Sequence, residues 1–173
     1  LKFTGEDGVA AVSIIMYLQF LCIGIYFGFS MGLSTPLGYA YGDRNFSVCR
    51  VLEKYAYRFF AIAPIILYGC TYLLAPIGVY FFASPGSTVF DMAVSGLRLY
   101  GLGFLFSGIN IFAAIRMMTY GKGYISGMIT FLRSFALLLL FLTVLPRFLE
   151  LNGIWLAVPA AEILTLIVAL WTL

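Results

Sequence analysis

Long apolar stretches without a charged residue dominate the chain and predict its secondary structure. Residues 8–42 and 59–90 hold no charged side chain, and residues 92–173 hold only seven. A run of about 20 apolar residues is long enough to cross a bilayer as a helix, and these runs lack the polar face of a soluble helix. Segments 137–145 and 161–170 do not alternate apolar with polar residues, so strands of a membrane barrel are excluded.

The runs predict an all-α integral membrane protein, a polytopic bundle of about five transmembrane helices. The first span is longer than a perpendicular crossing needs, so we expect it to tilt, bend or protrude. The chain begins at Leu1 and ends within an apolar run at Leu173, which favours a piece of a longer polypeptide. The predicted spans lie at about 8–41, 56–82, 92–119, 123–145 and 152–173, with a loop at about 42–55.

Prolines inside the predicted spans are candidates for helix bends. Pro36 stands near the end of the first span, Pro64 and Pro76 in the second, and Pro159 in the fifth. Proline lacks the N–H that would bond the carbonyl four residues earlier in a helix. Membrane helices tolerate this loss where a neighbouring group satisfies the freed carbonyl. We therefore expect bends at Pro36, Pro64 and Pro159, and the carbonyl freed by Pro159 could help to line a cavity.

Glycines in the first span recur at a spacing that favours helix packing. Gly24, Gly28 and Gly32 follow one another at intervals of four and therefore share one helix face. Small residues at this spacing let a second helix approach closely. A ligand-binding role for the three glycines is the weaker alternative. The cluster around Gly101 and Gly108 resembles a nucleotide-binding glycine loop only superficially, because no strand precedes it.

Arginine and lysine are divided unequally between the two ends of the spans, and this bias predicts the orientation. The richer end is predicted to be cytoplasmic, in the plasma or inner cell membrane. The loop at 42–55 and the C-terminal end then lie inside, and the N-terminal end lies outside. One end holds Arg44, Arg50, Lys54, Arg58, Arg116 and Lys122, whereas the other holds Lys2 and Arg147.

The basic loop at 42–55 has a pattern of its own. Arg50, Lys54 and Arg58 recur every four residues, which would align them on one face of a helix. One interpretation is a short interfacial helix bound to anionic lipid headgroups. The other is a solvated basic loop that only enforces the topology. The sequence leaves both interpretations open.

Composition excludes several classes of function. The chain is 63% hydrophobic and 10% charged, far from the balance of a soluble domain. It contains no histidine and three scattered cysteines, so we expect no disulfide framework, metal site or cofactor. A net charge of +3 suits a membrane surface and is too small to indicate nucleic acid as a partner. An enzyme would need a nucleophile with a base or a pair of metals, so we predict that the chain is not one.

Charged and amide side chains inside the predicted spans are the candidates for transport or ion coupling. Glu162 lies about midway along the fifth span, Arg98 inside the third and Arg133 inside the fourth. Charges at this depth normally face a bundle interior or an aqueous cavity. Glu162 is either a proton carrier or the permanent partner of Arg98 or Arg133. Arg98 could also snorkel to the outer interface, and Asn110 could bridge helices or bind a ligand.

Three stretches of the chain resemble the multidrug and toxic compound extrusion (MATE) transporter family. Residues 8–42 are similar to the second helix of a lobe, with Gly-Val-Ala-Ala at the start and Ala-Tyr-Gly at the exit. Residues 107–110 (SGIN) and 120–123 (YGKG) resemble the tenth helix of the family and the turn after it. Residues 152–162 (NGIWLAVPAAE) resemble the start of the twelfth helix.

The resemblance implies part of a C-terminal lobe, covering the eighth to twelfth helices. Members of the family have two lobes of six helices around a cavity that opens alternately to each side. They export small amphipathic or cationic organic compounds in exchange for H⁺ or Na⁺. The resemblance therefore implies an antiporter whose partners are a small-molecule substrate, the lipid bilayer and the missing N-terminal lobe of the same protein.

One departure from the family concerns Asn110. Some members carry an essential aspartate in the tenth helix, and an amide at this position cannot release a proton. Coupling would then depend on Glu162 or on acidic residues of the absent lobe. The alternative within the superfamily is a flippase for lipid-linked oligosaccharides or peptidoglycan precursors, which would favour a more cationic cavity than Arg98 and Arg133 supply. A non-transporting subunit would not need charges at membrane depth.

Overall fold

The structure is a computed structural model that describes residues 5–172, and every regular element in this part of the chain is helical. Five stretches are long and apolar enough to cross a membrane, which confirms the predicted all-α, multi-pass bundle. The elements are α1 (Gly5–Gly42), α2 (Phe46–Tyr80), α3 (Thr88–Tyr100), a 3₁₀ turn (Gly101–Gly103), α4 (Phe104–Thr119), α5 (Gly123–Phe131), a π-helical turn (Leu132–Ala136), α6 (Leu137–Val144) and α7 (Pro146–Leu170).

The connection between the first two spans is shorter than the loop predicted at 42–55, and that prediction was wrong in extent. Residues 46–55 are the first part of α2, which begins directly after Asn45. The Asn45 side chain accepts a hydrogen bond from the backbone N–H of Val48 at 3.3 Å, as an N-cap residue does. Arg44 adopts a φ of 56°, which lets the chain reverse within three residues. The basic residues therefore lie on a helix.

The first two helices are longer than a bilayer is thick. α1 has 38 residues and α2 has 35, which correspond to about 57 Å and about 52 Å of helix. A hydrocarbon core of roughly 30 Å cannot contain either helix unless it tilts or projects. Lys2, which entered the orientation argument, lies outside the described residues.

The span formed by α3 and α4 is the centre of the bundle, and it is more buried than any other span. Its glycines allow close packing. A Cβ atom added to Gly96 would come within 2.8 Å of Ile15, and one added to Gly108 would come within 2.7 Å of the Phe60 ring. The hydroxyl of Tyr26 donates a hydrogen bond to the Phe104 carbonyl at 3.0 Å, which fastens α1 to the start of α4.

The last two spans form the remaining side of the bundle, with many contacts between α6 and α7. The π-helical turn Leu132–Ala136 joins α5 to α6 without breaking the span. In α7 the backbone leaves helical geometry at Glu150, with φ 48° and ψ −125°. A Cβ atom on Gly153 would lie 2.5 Å from the Leu145 backbone, so the corner before the long part of α7 requires glycine there.

The predicted bends and packing glycines lie as follows. Pro36, Pro64 and Pro159 each stand inside a helix that continues past them, and the kink at these positions stays a prediction. Added Cβ atoms on the three glycines predicted to pack against a second helix would meet nothing within 4 Å. No helix of the described part of the chain therefore packs on that face, and its partner stays a prediction. The glycines concerned are Gly24, Gly28 and Gly32.

Candidate functional site

Glu162 lies at the centre of a buried polar cluster inside the bundle. Trp155, Pro159, Glu162 and Thr165 are all buried and recur every three or four residues, so they form the inward face of α7. Glu162 is only 4% exposed. The sequence therefore positions this carboxyl group toward the neighbouring helices and away from lipid.

Arg133 is the ionic partner of Glu162. Its Nη2 lies 2.5 Å and its Nε 3.1 Å from Glu162 Oε1. Arg133 stands in the π-helical turn that joins α5 to α6, where one extra residue per turn changes the direction of the side chain. Such turns occur frequently at functional sites. Of the two arginine partners left open by the sequence, the structure selects Arg133.

Two side chains of α4 complete the shell of the Glu162 carboxylate. Asn110 Nδ2 donates to Glu162 Oε2 at 2.7 Å and to the Glu162 backbone carbonyl at 2.9 Å. Ser107 Oγ lies 2.9 Å from Oε1. Ser107 and Asn110 are three residues apart and therefore share a helix face. Sequence reasoning did not single out Ser107 as a site residue, although its position one turn before Asn110 could have indicated it.

The hydroxyl of Ser107 has two acceptors for one proton. Its oxygen is 2.8 Å from the Gly103 carbonyl and 2.9 Å from Glu162 Oε1. A serine hydroxyl donates only one hydrogen bond. At any one time it therefore donates either to the Gly103 carbonyl or to the Glu162 carboxylate.

One acceptor in the cluster has no protein partner. Asn110 is completely buried, and its Oδ1 has no hydrogen-bond donor among residues 5–172. A buried amide oxygen without a partner costs about 1–3 kcal/mol. The amide that fixes Glu162 through Nδ2 therefore leaves an oxygen free to accept a further donor or to bind a cation.

A polar cavity adjoins the Arg133–Glu162 pair. Its volume is about 180 Å³, large enough for several water molecules. The Tyr100 hydroxyl forms a hydrogen bond with Gln19 Oε1 at its edge, so α1 also contributes polar groups. The cavity is lined by Gln19, Tyr100, Arg133, Ser134, Leu138, Val158 and Glu162.

Arg98 lies apart from this cluster. Its Nε donates to the Tyr72 carbonyl at 3.3 Å, and its guanidinium stands 4.8 Å from the centre of the Tyr72 ring. Pro76 follows Tyr72 by four residues and cannot bond that carbonyl, because proline has no N–H. Arg98 therefore satisfies a carbonyl that the proline frees. No carboxylate among the described residues lies within ion-pair distance of Arg98.

A second polar cluster joins α2, the C-terminal end of α4 and the turn after α7, near the α1–α2 turn. Arg116 forms an ion pair with Glu53 and donates to the Thr172 carbonyl at 2.7 Å. The Tyr120 hydroxyl donates to Glu53 Oε1 at 2.7 Å. Burial and the hydrogen bond to Glu53 raise the pKa of Tyr120 above its ordinary value, so the phenol stays a donor. Sequence reasoning had used Arg116 only as a marker of orientation.

Comparison with known proteins identifies the family. The MatE family model matches residues 1–145 of the chain. Arg98, Ser107, Asn110 and Arg133 fall within the matched residues, and Glu162 follows them. No curated protein sequence matches the chain.

Solved structures share the fold. An outward-facing multidrug resistance MATE transporter of the MOP superfamily matches with a TM-score of 0.89 and 22% identity, over 98% of this chain and 38% of that one. A MOP superfamily transporter from Pyrococcus furiosus, described by the reverse polarity of its binding pocket, matches at 0.88 and 22%, over 98% and 39%. An inward-facing MATE structure matches at 0.82 and 22%, over 94% and 37%.

The coverage and the fold agree with one another. The chain spans about 38% of the length of the transporters it matches, so it corresponds to one lobe of them. The family model covers most of the chain, and the five apolar helices pack as they do in those structures. The chain therefore belongs to the MATE family of multi-pass membrane transporters.

Proposed function

We propose that this chain forms part of the C-terminal lobe of a cation-coupled antiporter, which exports small amphipathic or cationic organic compounds by alternating access. The observation that carries the proposal is the Arg133–Glu162 pair at membrane depth beside a polar cavity. A charge at the centre of a membrane helix costs roughly 2.5–3.5 kcal/mol, and such residues mark ion pathways and proton relays. Polar groups near the midplane are where transporters bind substrates and coupling ions.

The coupling ion acts on Glu162 in this proposal. Addition of a proton would neutralise the carboxylate, weaken its attraction to Arg133 and satisfy the contact with Ser107 Oγ. A sodium ion would instead use the carboxylate together with the free Oδ1 of Asn110, because hard cations prefer oxygen ligands. Either ion loosens the connection between α7 and the π-helical turn. The contact between α7 and the π-helical turn would therefore be tight without the ion and loose with it.

A transport assay tests the proposal. The full-length transporter is reconstituted in proteoliposomes, and efflux of a cationic dye is measured under an imposed proton or sodium gradient. We expect one of the gradients to drive efflux, and Glu162→Gln to abolish this dependence in a protein that still folds. Asp91→Asn is the matched control, because it makes the same change at an exposed carboxylate of α3. A rate of dye efflux that is the same with and without either gradient would contradict the antiporter proposal.

The flippase alternative expects a different distribution of charge. A lipid-linked pyrophosphate would require several unpaired cations in the cavity, but the charge of Arg133 is balanced by Glu162. Arg98, which lies apart from the Glu162 cluster, has no ionic partner among the described residues. This balance favours export of neutral or cationic compounds. Translocation of a fluorescent lipid-linked pyrophosphate by the reconstituted protein, with no dye efflux, would support the flippase instead.

The proposed topology puts the α1–α2 turn and the C-terminal end in the cytoplasm of a plasma or inner membrane, with the N-terminal end outside. It is supported by the basic residues near that turn. To test this topology, a variant without native cysteines is given a single cysteine at position 84 or at position 122. Ser84 and Lys122 lie at opposite ends of the spans. A membrane-impermeant maleimide should label the cysteine at 84 in intact cells and the one at 122 only after lysis. The reverse pattern would invert the topology.

A further inference from the structure

Three basic residues form an exposed row on the first part of α2. Arg50, Lys54 and Arg58 are all exposed, and their spacing of four residues aligns them along one side of the helix. We refer to these three residues as the basic stripe. The buried residues of the same segment, Cys49 and Ala56, lie on the opposite side. The basic stripe therefore faces away from the bundle.

The basic stripe has no acidic partner in the described structure. Glu53 is the one acidic residue of α2, and it turns inward to pair with Arg116 and Tyr120. The other ion pair among residues 5–172 joins Arg133 to Glu162. Asp43 is exposed in the turn before α2 and forms no ion pair with the stripe. The outer side of this part of α2 therefore carries uncompensated positive charge.

The length of α2 brings the basic stripe to the level of the lipid headgroups. The charge-free part of α2, from residue 59 to Tyr80, has about 22 residues and spans roughly 33 Å. That length matches the hydrocarbon core of a bilayer, so Arg58 lies at its boundary. Lys54 follows about 6 Å farther out, within the headgroup layer, and Arg50 about 12 Å out, from where its long side chain can reach back to the phosphates.

Apolar side chains beside the basic stripe are also exposed. Val51 is 53% exposed and Tyr55 is 58% exposed, each one position after a basic residue of the stripe. Tyrosine is enriched at the membrane interface, where its ring lies among headgroups. An exposed surface that combines such residues with unpaired cations is typical of a helix that contacts a membrane surface.

We propose that the basic stripe binds the headgroups of anionic phospholipids in the leaflet at the α1–α2 end of the bundle. The partner follows from charge complementarity, because a row of unpaired cations at headgroup depth matches a row of phosphates. Each basic residue near an anionic surface contributes enough attraction to change affinity about fivefold. A basic segment that only enforces topology would bind zwitterionic and anionic lipids equally.

Native mass spectrometry of the full-length protein, titrated with phosphatidylglycerol or phosphatidylcholine, tests the proposal. We expect Arg50→Gln/Lys54→Gln to weaken binding of phosphatidylglycerol about 25-fold and to leave phosphatidylcholine binding unchanged. The matched control is Lys122→Gln/Arg147→Gln, which removes the same charge from two exposed residues outside the stripe. It should change phosphatidylglycerol binding less than about twofold if the site is local.

Two results would overturn the proposal. If both double variants lose phosphatidylglycerol equally, net charge alone explains the binding. If neither loses it, the basic stripe does not bind lipid, and the missing part of the protein or solvent covers it. Thermal unfolding in a neutral detergent distinguishes a local effect from misfolding, because the exchanged side chains are exposed and should leave the midpoint unchanged.

Discussion

Removal of Arg133 should destabilise the bundle more than removal of its partner does. Arg133→Met deletes both guanidinium contacts and leaves the Glu162 carboxylate, 6% exposed in its side chain, with only Ser107 and Asn110 as donors. Breaking a buried pair from one side typically costs about 3–5 kcal/mol, because an uncompensated charge remains. We therefore expect the free energy of unfolding of the Arg133→Met variant to fall by about that amount near neutral pH.

The Glu162→Gln substitution should cost less than about 2 kcal/mol, because its amide oxygen still accepts from Arg133 and the guanidinium left without a counter-ion lines the polar cavity, where water can solvate it. The new NH₂ group replaces Oε2, which lies 2.7 Å from Asn110 Nδ2, so the Asn110 amide has to rotate and present its Oδ1 as the acceptor. The double variant Arg133→Met/Glu162→Gln completes a double-mutant cycle. It lacks both the carboxylate and the guanidinium, so no buried charge remains unpaired. We expect its stability to recover toward that of the unmodified protein, with an interaction energy of about 2–3 kcal/mol.

The assay is reversible unfolding of the full-length protein in mixed micelles, followed by circular dichroism at several detergent fractions. All four proteins of the cycle are measured at the same ionic strength, because salt screens charge interactions. Additive losses, with the double variant the least stable, would contradict a direct pair between Arg133 and Glu162. A loss below about 1 kcal/mol for Arg133→Met would mean that water reaches the carboxylate and solvates it.

Three further predictions concern packing, capping and the second polar cluster. Gly108→Ala should lower the free energy of unfolding by about 1–3 kcal/mol in thermal unfolding, because the new Cβ would lie 2.7 Å from the Phe60 ring. Gly28→Ala is the control, because its Cβ meets nothing within 4 Å and should leave the stability of this bundle unchanged. Asn45→Ala should lower protection of the first turn of α2 in hydrogen exchange by about 1 kcal/mol, and unchanged exchange would contradict the cap. Arg116→Gln should lower the free energy of unfolding by about 3 kcal/mol, because it leaves the Glu53 carboxylate without its cation. Glu53→Gln should lower it by less than half of that, because an amide oxygen remains as the acceptor for Tyr120. Equal losses in thermal unfolding would refute this ranking.

The spans could be predicted from the sequence because bilayer thickness and hydropathy determine them almost alone. Their ends could not, because caps and turns depend on single residues. The connection between α1 and α2 ends at Asn45, about ten residues before the end of the predicted loop. An N-cap asparagine before a helical pattern is a signal that sequence reasoning can use. The basic spacing at Arg50, Lys54 and Arg58 already indicated a helix, but it did not show that this helix continues into the membrane.

The candidate site was predicted only in part. Glu162 and Asn110 could be singled out because polar residues in apolar runs are conspicuous, but the choice between Arg98 and Arg133 depends on how helices face one another. The structure resolves that choice through Pro76, which frees the Tyr72 carbonyl for Arg98. Gln19 and Tyr100 were missed, because uncharged polar residues are common in membrane helices and these two carry no distinctive pattern, whereas Ser107 could have been found from its position one turn before Asn110.

The cluster around Glu162 is not built as stability alone would require. Apolar residues of similar volume often replace a buried ion pair without loss, yet this bundle keeps the pair and also leaves Asn110 Oδ1 without a donor. Ser107 offers one proton to two acceptors. Such departures from complete satisfaction are expected where a site has to adopt two states. The ion exchange proposed for Glu162 accounts for these departures, because a carboxylate with several donors next to a polar cavity would keep partners in both states.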